Sequence, residues 1–167
     1  MLFLDTDILL TRDFSAAFDG SFDVGLTYRN GPSLSAMPVN EGVIVGAQGN
    51  APALKTFFDD VLDIYEWLAA APSPSARYGF DIRNWRGGQL SLAGLIDWAV
   101  PPQASAKVVI NKVRYKFLPC FDFNYTVTPS DPPQFLATRW AIHFKGAKAK
   151  GLMAPYVAFT RKNELTQ

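Results

Sequence analysis

The sequence lacks an excess of charge of either sign. Its 167 residues include 16 Lys and Arg and 15 Asp and Glu, which leaves a formal net charge of +1. A chain with so little net charge has no overall electrostatic field to attract nucleic acid or an anionic membrane. We therefore expect no nucleic-acid partner, and any anion-binding site has to be local.

Cysteine and long hydrophobic runs are also scarce. The single Cys120 cannot form a disulfide within the chain, which favours a reducing compartment. No apolar run reaches the length of about eighteen residues that a membrane-spanning helix needs. The first residues lack the basic and apolar regions of a signal peptide. We expect a cytoplasmic protein with no membrane span.

The remaining composition is typical of one globular domain. Hydrophobic residues make up 49% of the chain and charged residues only 19%, so we assign residues 1–167 to a single domain. Helical periodicity predicts helices over 52–70 and 89–98, and the basic, glycine-bearing stretch 145–151 is predicted to be a loop. Short apolar runs predict buried strands at 1–4, 24–28, 42–45, 107–110, 113–117 and 140–144. Such a mixture predicts an α/β fold, and strands buried on both faces favour a mixed, mostly parallel sheet with flanking helices.

Two carboxylates follow the first apolar run, in the sequence Asp5-Thr6-Asp7. Ligands bind at the carboxyl ends of strands in α/β sheets, because loops and helix N-termini converge there. Carboxylates one residue apart can share a hard cation such as Mg²⁺ or Mn²⁺, which keeps further coordination positions for phosphate oxygens. By itself a D-x-D is a weak signal, and solvated Asp side chains in a strand-end turn are the alternative interpretation.

The only histidine, His143, lies at the end of the last predicted strand, and Gly146 and Lys148 follow it closely. A neutral imidazole is a suitable ligand for Mn²⁺. A glycine lets the backbone approach a phosphate, and a lysine supplies a positive charge. Taken alone, this stretch indicates a surface histidine beside a basic loop. In combination with Asp5 and Asp7 it predicts a metal and phosphate site.

Five stretches of the chain resemble the glycogenin and lipopolysaccharide-galactosyltransferase family, whose members are retaining, metal-dependent glycosyltransferases of the GT-A fold. They occur in that family's order and are Phe3-Leu4-Asp5-Thr6-Asp7, Asn40-Glu41-Gly42-Val43-Ile44, Gly88-Gln89-Leu90-Ser91-Leu92, Leu118-Pro119 with Phe123-Asn124, and His143-Phe144-Lys145-Gly146-Ala147-Lys148. The first and the last are the specific ones. The resemblance implies the C-terminal portion of a GT-A, or nucleotide-diphospho-sugar transferase, fold. It also implies transfer of a hexose from a nucleotide-diphosphate sugar, with a UDP-sugar favoured as donor.

The resemblance implies a role for each matching residue. Asp5, Asp7 and His143 match the ligands of a Mn²⁺ (or Mg²⁺) ion that is itself bound by the donor's diphosphate. Gly146 and Lys148 match contacts to the diphosphate oxygens. The negative charge that builds on the departing diphosphate would then be neutralised by the ion, with Lys148 adding a fixed positive charge.

Three further residues match positions around the donor sugar. Asn40 and Gly42 match the loop beneath it, and Gln89 matches a polar residue near the anomeric carbon. Glu41 is a candidate carboxylate beside the sugar, with a partly exposed loop carboxylate as the alternative. We treat Gln89 and Glu41 as the catalytic candidates, although an amide cannot act as the base. The acceptor stays open between a carbohydrate, a lipid-linked molecule and a protein.

The chain also departs from the family pattern. The family usually has Asp where Gly88 stands and a small residue where Glu41 stands, and its Pro-Trp is missing after Lys148. The nucleotide-binding half that normally precedes the D-x-D has no counterpart here. We therefore expect an incomplete domain whose first strand leaves a bare sheet edge, through which the chain could associate with itself.

A phosphatase of the haloacid dehalogenase type is one alternative function. It too places a D-x-D after an apolar strand, but its motif continues Gly-Thr where this chain has Ile8-Leu9. Its second acidic pair has no good match, because Asp59-Asp60 are better explained as the solvated face of the helix over 52–70.

A pseudo-enzyme that binds carbohydrate or a partner chain is the other alternative. Gly88 and the missing nucleotide-binding half support it. Aromatic residues such as Trp85, Trp98 and Tyr28 could stack on sugar rings, although packing is the commoner role of such side chains.

Overall fold

Eight strands, five helices and a 3₁₀ helix make up the part of the chain that the computed structural model describes, residues 1–18, 21–29, 38–70, 87–96 and 107–164. The strands are β1 (Leu2–Leu4), β2 (Ile8–Leu10), β3 (Val24–Tyr28), β4 (Val39–Gly46), β5 (Lys107–Ile110), β6 (Val113–Pro119), β7 (Tyr125–Thr126) and β8 (Ala141–His143). The helices are α1 (Ala51–Ala70), α2 (Gly87–Leu95), α3 (Cys120–Phe123), α4 (Pro133–Leu136) and α5 (Ala147–Glu164), and the 3₁₀ helix spans Phe14–Ala17. Within these ranges, no helix combines the length and the hydropathy that crossing a membrane requires.

The strands form two mixed sheets. The larger has the order β1-β4-β3-β6-β5 and the smaller the order β2-β8-β7. Strands β3 and β6 are parallel, as are β7 and β8, and the other neighbours are antiparallel. The predicted α/β class with flanking helices is confirmed. The prediction of a mostly parallel sheet is wrong.

Both faces of the larger sheet are buried even though most of its strands are antiparallel. On one face, Phe57 of α1 and Leu92 of α2 belong to the core cluster. On the other face, Ile8 of the smaller sheet and Phe14 of the 3₁₀ helix pack against β4 and β6. The apolar runs in the sequence indicate burial on two faces, and here a second sheet supplies what helices supply in a parallel fold.

Most predicted elements coincide with observed ones. The predicted helix over 52–70 is α1, and Oδ1 of Asn50 accepts a hydrogen bond from the Ala53 amide in its first turn. The predicted helix over 89–98 is α2, whose predicted last residues lie outside the described ranges. The loop predicted over 145–151 is wrong, because α5 begins at Ala147. Gly146 has a φ of 84°, which lets the chain turn directly into this helix.

Strand β1 lies at one edge of the larger sheet within the described residues. Its neighbour on the inner side is β4. Met1, just before β1, is 64% exposed, and Leu4, the last residue of β1, is 39% exposed. An edge with apolar side chains is a template for pairing with another strand. We therefore still predict that the chain can associate with itself through β1, and the exposed apolar residues of this edge support the prediction.

Candidate metal centre

The pairing of strands brings the two ends of the sequence together at one end of the larger sheet. As β1 ends, the Asp5 amide donates a hydrogen bond to the Gly42 carbonyl of β4 at 3.0 Å. In the smaller sheet β2 runs antiparallel to β8, with Ile8 opposite His143. Because Asp7 directly precedes Ile8, this register places Asp7 beside the histidine, and the hydrogen bond to Gly42, which lies against the His143 ring, brings Asp5 to the same place.

Asp5, Asp7 and His143 form a cluster whose candidate ligand atoms all lie within 4.8 Å of one another. Nε2 of His143 is 3.1 Å from Oδ1 of Asp7 and 3.7 Å from Oδ2 of Asp5. Neighbouring ligands of an octahedral ion with bonds of about 2.1 Å lie about 3 Å apart. The distance between Asp7 and His143 matches this value, and the distance between Asp5 and His143 is about 0.7 Å longer, while the donor set suits Mn²⁺ or Mg²⁺. The His143 side chain is 4% exposed and that of Asp5 is 45% exposed, so the cluster opens to solvent on the Asp5 side.

A chain of buried hydrogen bonds determines which nitrogen of His143 carries the proton. The Thr27 hydroxyl donates its proton to the Asn40 carbonyl at 2.8 Å, so its oxygen accepts from Nδ2 of Asn124 at 3.1 Å. Oδ1 of Asn124 then faces Nδ1 of His143 at 3.0 Å. An amide oxygen can only accept, so Nδ1 carries the proton and Nε2 directs its lone pair at the carboxylates. A cation between Nε2 and the carboxylate oxygens would relieve the repulsion between the imidazole lone pair and the carboxylate charges.

Burial and nearby charges shift the pKa values of His143 and Asp7 in opposite directions. Burial lowers the pKa of His143, and the nearby carboxylates of Asp7 and Asp5 only partly offset this effect. Burial by itself would raise the pKa of Asp7, but the hydrogen bond from Lys150 and the positive charge of Lys150 hold it below its ordinary value. Nζ of Lys150 lies 3.1 Å from Oδ2 of Asp7. The surroundings therefore favour an ionised Asp7 and a neutral imidazole, which are the forms that bind a metal.

Gly42 allows β4 to pass directly beside the histidine. A Cβ at this position would lie 2.9 Å from Nδ1 and 3.0 Å from Cε1 of His143, well inside ordinary contact distance. Oδ1 of Asn40 accepts hydrogen bonds from the Gly42 amide at 3.1 Å and from Nε2 of Gln89 at 3.2 Å. Asn40, Gly42 and Gln89, which the sequence analysis placed around the donor sugar, thus belong to the buried network behind the cluster.

Glu41 extends from β4 towards the first turn of α2. Its Oε2 would lie 2.0 Å from a Cβ at Gly88, so the carboxylate occupies the space that a side chain at 88 would need. Burial raises the pKa of Glu41, the Asp5 charge raises it further, and Lys145 opposes both. Glu41 therefore lies within the electrostatic reach of the candidate metal ligands.

The two predicted phosphate contacts lie at the start of α5. Gly146 has open space around its Cα, and Lys148 is exposed, with no hydrogen bond or ion pair to any residue in the described ranges. The lysine that contacts the cluster is Lys150, which sequence reasoning missed because it predicted a loop over 145–151. In a helix that begins at Ala147, Lys150 lies about one turn after Ala147 and on the same face of the helix as that residue.

Asn124 is the second residue that sequence reasoning missed. It appeared only as the last residue of one matching stretch, without a role. Its side chain is buried between Thr27 and His143, and both of its hydrogen bonds bear on the histidine tautomer. Asn124 follows α3 and His143 ends β8, so no local pattern in the sequence pointed to this contact.

The residues of the alternative functions lie elsewhere. Asp59 is exposed on α1 and pairs with Lys55, and the half-buried Asp60 accepts a hydrogen bond from Asn111; both contacts lie away from the cluster. Tyr28 is buried in the core at 2% exposure, so its ring is not accessible for stacking on a sugar. Trp85 and Trp98 lie outside the described residues.

Comparison of the chain with protein-family models, with curated proteins and with solved structures finds no match. The chemistry of the site therefore follows from its own geometry. Two carboxylates and a tautomerically fixed imidazole form a ready donor set for a divalent cation. A lysine and the N-terminus of an 18-residue helix lie next to it.

Proposed function

We propose that this chain binds a divalent cation, Mn²⁺ or Mg²⁺, through Asp5, Asp7 and His143, and that it acts as a metal-dependent hexosyltransferase on a nucleotide-diphosphate sugar. A UDP-sugar is the favoured donor. The observation that carries the proposal is the convergence of the three donor atoms within 4.8 Å from positions about 140 residues apart in sequence. The resemblance of the five stretches to the glycosyltransferase family supports the choice of donor.

The surroundings of the cluster suit a diphosphate. Asp5 leaves the solvent side of the site open, so a bound cation would keep coordination positions for phosphate oxygens. The first turn of α5, which follows Gly146, presents backbone N–H groups near the end of β8, and a helix N-terminus favours negative charge. Lys150, already at Asp7, and the exposed Lys148 add positive charge on the same helix.

The reaction requires stabilisation of the leaving group. A divalent cation at this site would act as a Lewis acid on the diphosphate while the sugar–phosphate bond breaks. The protein's own residues hold the geometry: Asn124 fixes the His143 tautomer, and Gln89 is buried and orients Asn40. Glu41, within electrostatic reach of Asp5, is the carboxylate that we propose to lie beside the sugar. The anomeric configuration is retained if the acceptor hydroxyl attacks the anomeric carbon from the face that the diphosphate leaves, while a diphosphate oxygen accepts the hydroxyl proton.

Titration calorimetry with Mn²⁺, alone and then with UDP-glucose or UDP-galactose, tests this function. Asp7→Asn removes a ligand charge with little change of shape, so we expect Mn²⁺ affinity to fall at least about tenfold and metal-dependent transfer or hydrolysis of the sugar nucleotide to disappear. The matched control is Asp59→Asn on the exposed surface of α1, which should leave both the Mn²⁺ affinity and the metal-dependent reaction unchanged.

Three results would contradict the proposal. Wild-type protein that shows no saturable Mn²⁺ binding excludes the metal centre. Asp7→Asn protein that binds Mn²⁺ as tightly as the wild type excludes these ligands. Release of phosphate from a simple phosphoester without any nucleotide would favour the phosphatase instead.

A further inference from the structure

The Glu41 carboxylate occupies the position that the first side-chain atom of a residue at 88 would take. A Cβ on Gly88 would lie 2.0 Å from Oε2 and 3.2 Å from Cδ of Glu41. Real Cβ atoms essentially never approach another atom that closely, so any side chain at 88 would push the carboxylate out of its place. Gly88 is therefore the residue that lets a carboxylate from β4 lie over the first turn of α2.

The position of this carboxylate relative to the cluster is set by its neighbours in sequence. Gly42 follows Glu41, and its carbonyl accepts the Asp5 amide at 3.0 Å while its Cα lies against the His143 ring. Asn40 precedes Glu41 and belongs to the hydrogen-bond network behind the histidine. The Asp5 carboxylate acts on Glu41 electrostatically. A sugar joined to a diphosphate at the cluster would therefore be next to Glu41.

The chemistry of Glu41 limits what it can recognise. The side chain is partly buried and has no hydrogen-bond partner or ion pair among the described residues. An ionised carboxylate offers only acceptors, so it binds hydroxyl groups and repels another carboxylate.

We infer that Glu41, in the space left by Gly88, selects the sugar of the donor, binding the hydroxyl groups of a neutral hexose and rejecting a uronic acid. This inference rests on the proposed function, since it assumes that the sugar nucleotide binds at the metal cluster. It adds the class of sugar and names the residue pair that sets it.

Calorimetry at saturating Mn²⁺ tests the inference with five ligands: UDP, UDP-glucose, UDP-galactose and the two corresponding uronates, UDP-glucuronate and UDP-galacturonate. For the wild type we expect the better hexose donor to bind at least about tenfold more tightly than its own uronate. Glu41→Gln keeps the shape and removes the charge, so the preference should fall below about threefold while UDP affinity stays the same. Gly88→Ala displaces the carboxylate and should reduce the preference in the same direction. Glu66→Gln, on the exposed surface of α1, is the control that should keep it.

The outcomes separate this inference from the proposed function. If Mn²⁺-dependent binding of UDP is absent in the wild type, the proposed function is wrong and the role of Glu41 falls with it. If UDP binds but hexose and uronate donors bind equally well, or if Glu41→Gln keeps the full preference, only the role of Glu41 is wrong.

Discussion

Substitution of Gly42 by alanine tests how closely the histidine is held. The added Cβ would lie 2.9 Å from Nδ1 and 3.0 Å from Cε1 of His143, and 3.1 Å from Nδ2 of Asn124, whereas ordinary contacts begin at 3.4 Å. Gly42 does not have a positive φ, so the alanine backbone itself is not strained. The imidazole and the amide must therefore move by several tenths of an ångström. Both are buried, and their mutual hydrogen bond of 3.0 Å opposes the movement.

Two magnitudes follow from this overlap. Overpacking of a buried site costs about 1–3 kcal/mol of the free energy of unfolding. Displacing the partner that orients a metal-binding histidine costs about 10- to 100-fold in metal affinity. We expect Gly42→Ala to show both effects, the first by urea unfolding and the second by calorimetry with Mn²⁺.

Gly46→Ala is the matched control on the same strand. Its Cβ would lie 2.7 Å from Cδ2 of Leu54, which is the far end of a flexible side chain. Position 46 is four residues from Gly42, a separation of about 13 Å along a strand. This variant should lose stability without losing Mn²⁺ affinity. Gly42→Ala protein that is destabilised but binds Mn²⁺ within twofold of the wild type would show that His143 is not a ligand in the geometry described.

Two further predictions concern other buried polar groups. Asp23 accepts hydrogen bonds from Arg114 that lower its pKa from 3.8 to about 2, so Asp23→Asn should cost about 2 kcal/mol of unfolding free energy at pH 7. Because the folded-state pKa of Asp23 is depressed, this stabilisation is present above about pH 4 and is lost as the pH falls towards 2. Urea unfolding across that range should show that the stability of the variant depends less on pH than that of the wild type. An equal pH dependence in the two proteins would refute the stabilising role of the Asp23–Arg114 pair. Asn124→Ala removes the acceptor at Nδ1 of His143, so we expect Mn²⁺ affinity to fall about 10- to 100-fold, whereas Asn124→Asp keeps an acceptor and should retain it. Equal Mn²⁺ affinity in Asn124→Ala and the wild type would mean that the tautomer is fixed elsewhere.

Local patterns in the sequence were enough to predict most individual elements. The helical periodicity over 52–70 and the apolar run at 24–28 correspond to α1 and β3, because these patterns depend on neighbours within one or two turns or along one strand. The same holds for the residue types of the candidate centre. Asp5, Asp7 and His143 were singled out because each follows or ends an apolar strand, and the structure brings all three together.

Such patterns could not predict whether neighbouring strands run parallel or antiparallel. A run of apolar residues shows that a strand is buried on both faces, but it does not show what covers those faces. Here a second sheet covers one face, so a mostly antiparallel sheet produces runs that are typical of parallel ones. Helix α5 was not predicted, because the residue types over 145–151 favour a loop and the turn at Gly146 that starts the helix depends on a single dihedral angle.

The sequence by itself determined most of the elements and the inventory of metal-binding side chains, since both depend on residues that are close along the chain. Only the tertiary structure decided that Lys150 pairs with Asp7, that Asn124 fixes the tautomer of His143 and that Glu41 fills the space over Gly88. Each of these contacts joins residues from different elements. Their distances follow from strand register and helix packing, which the whole chain sets together.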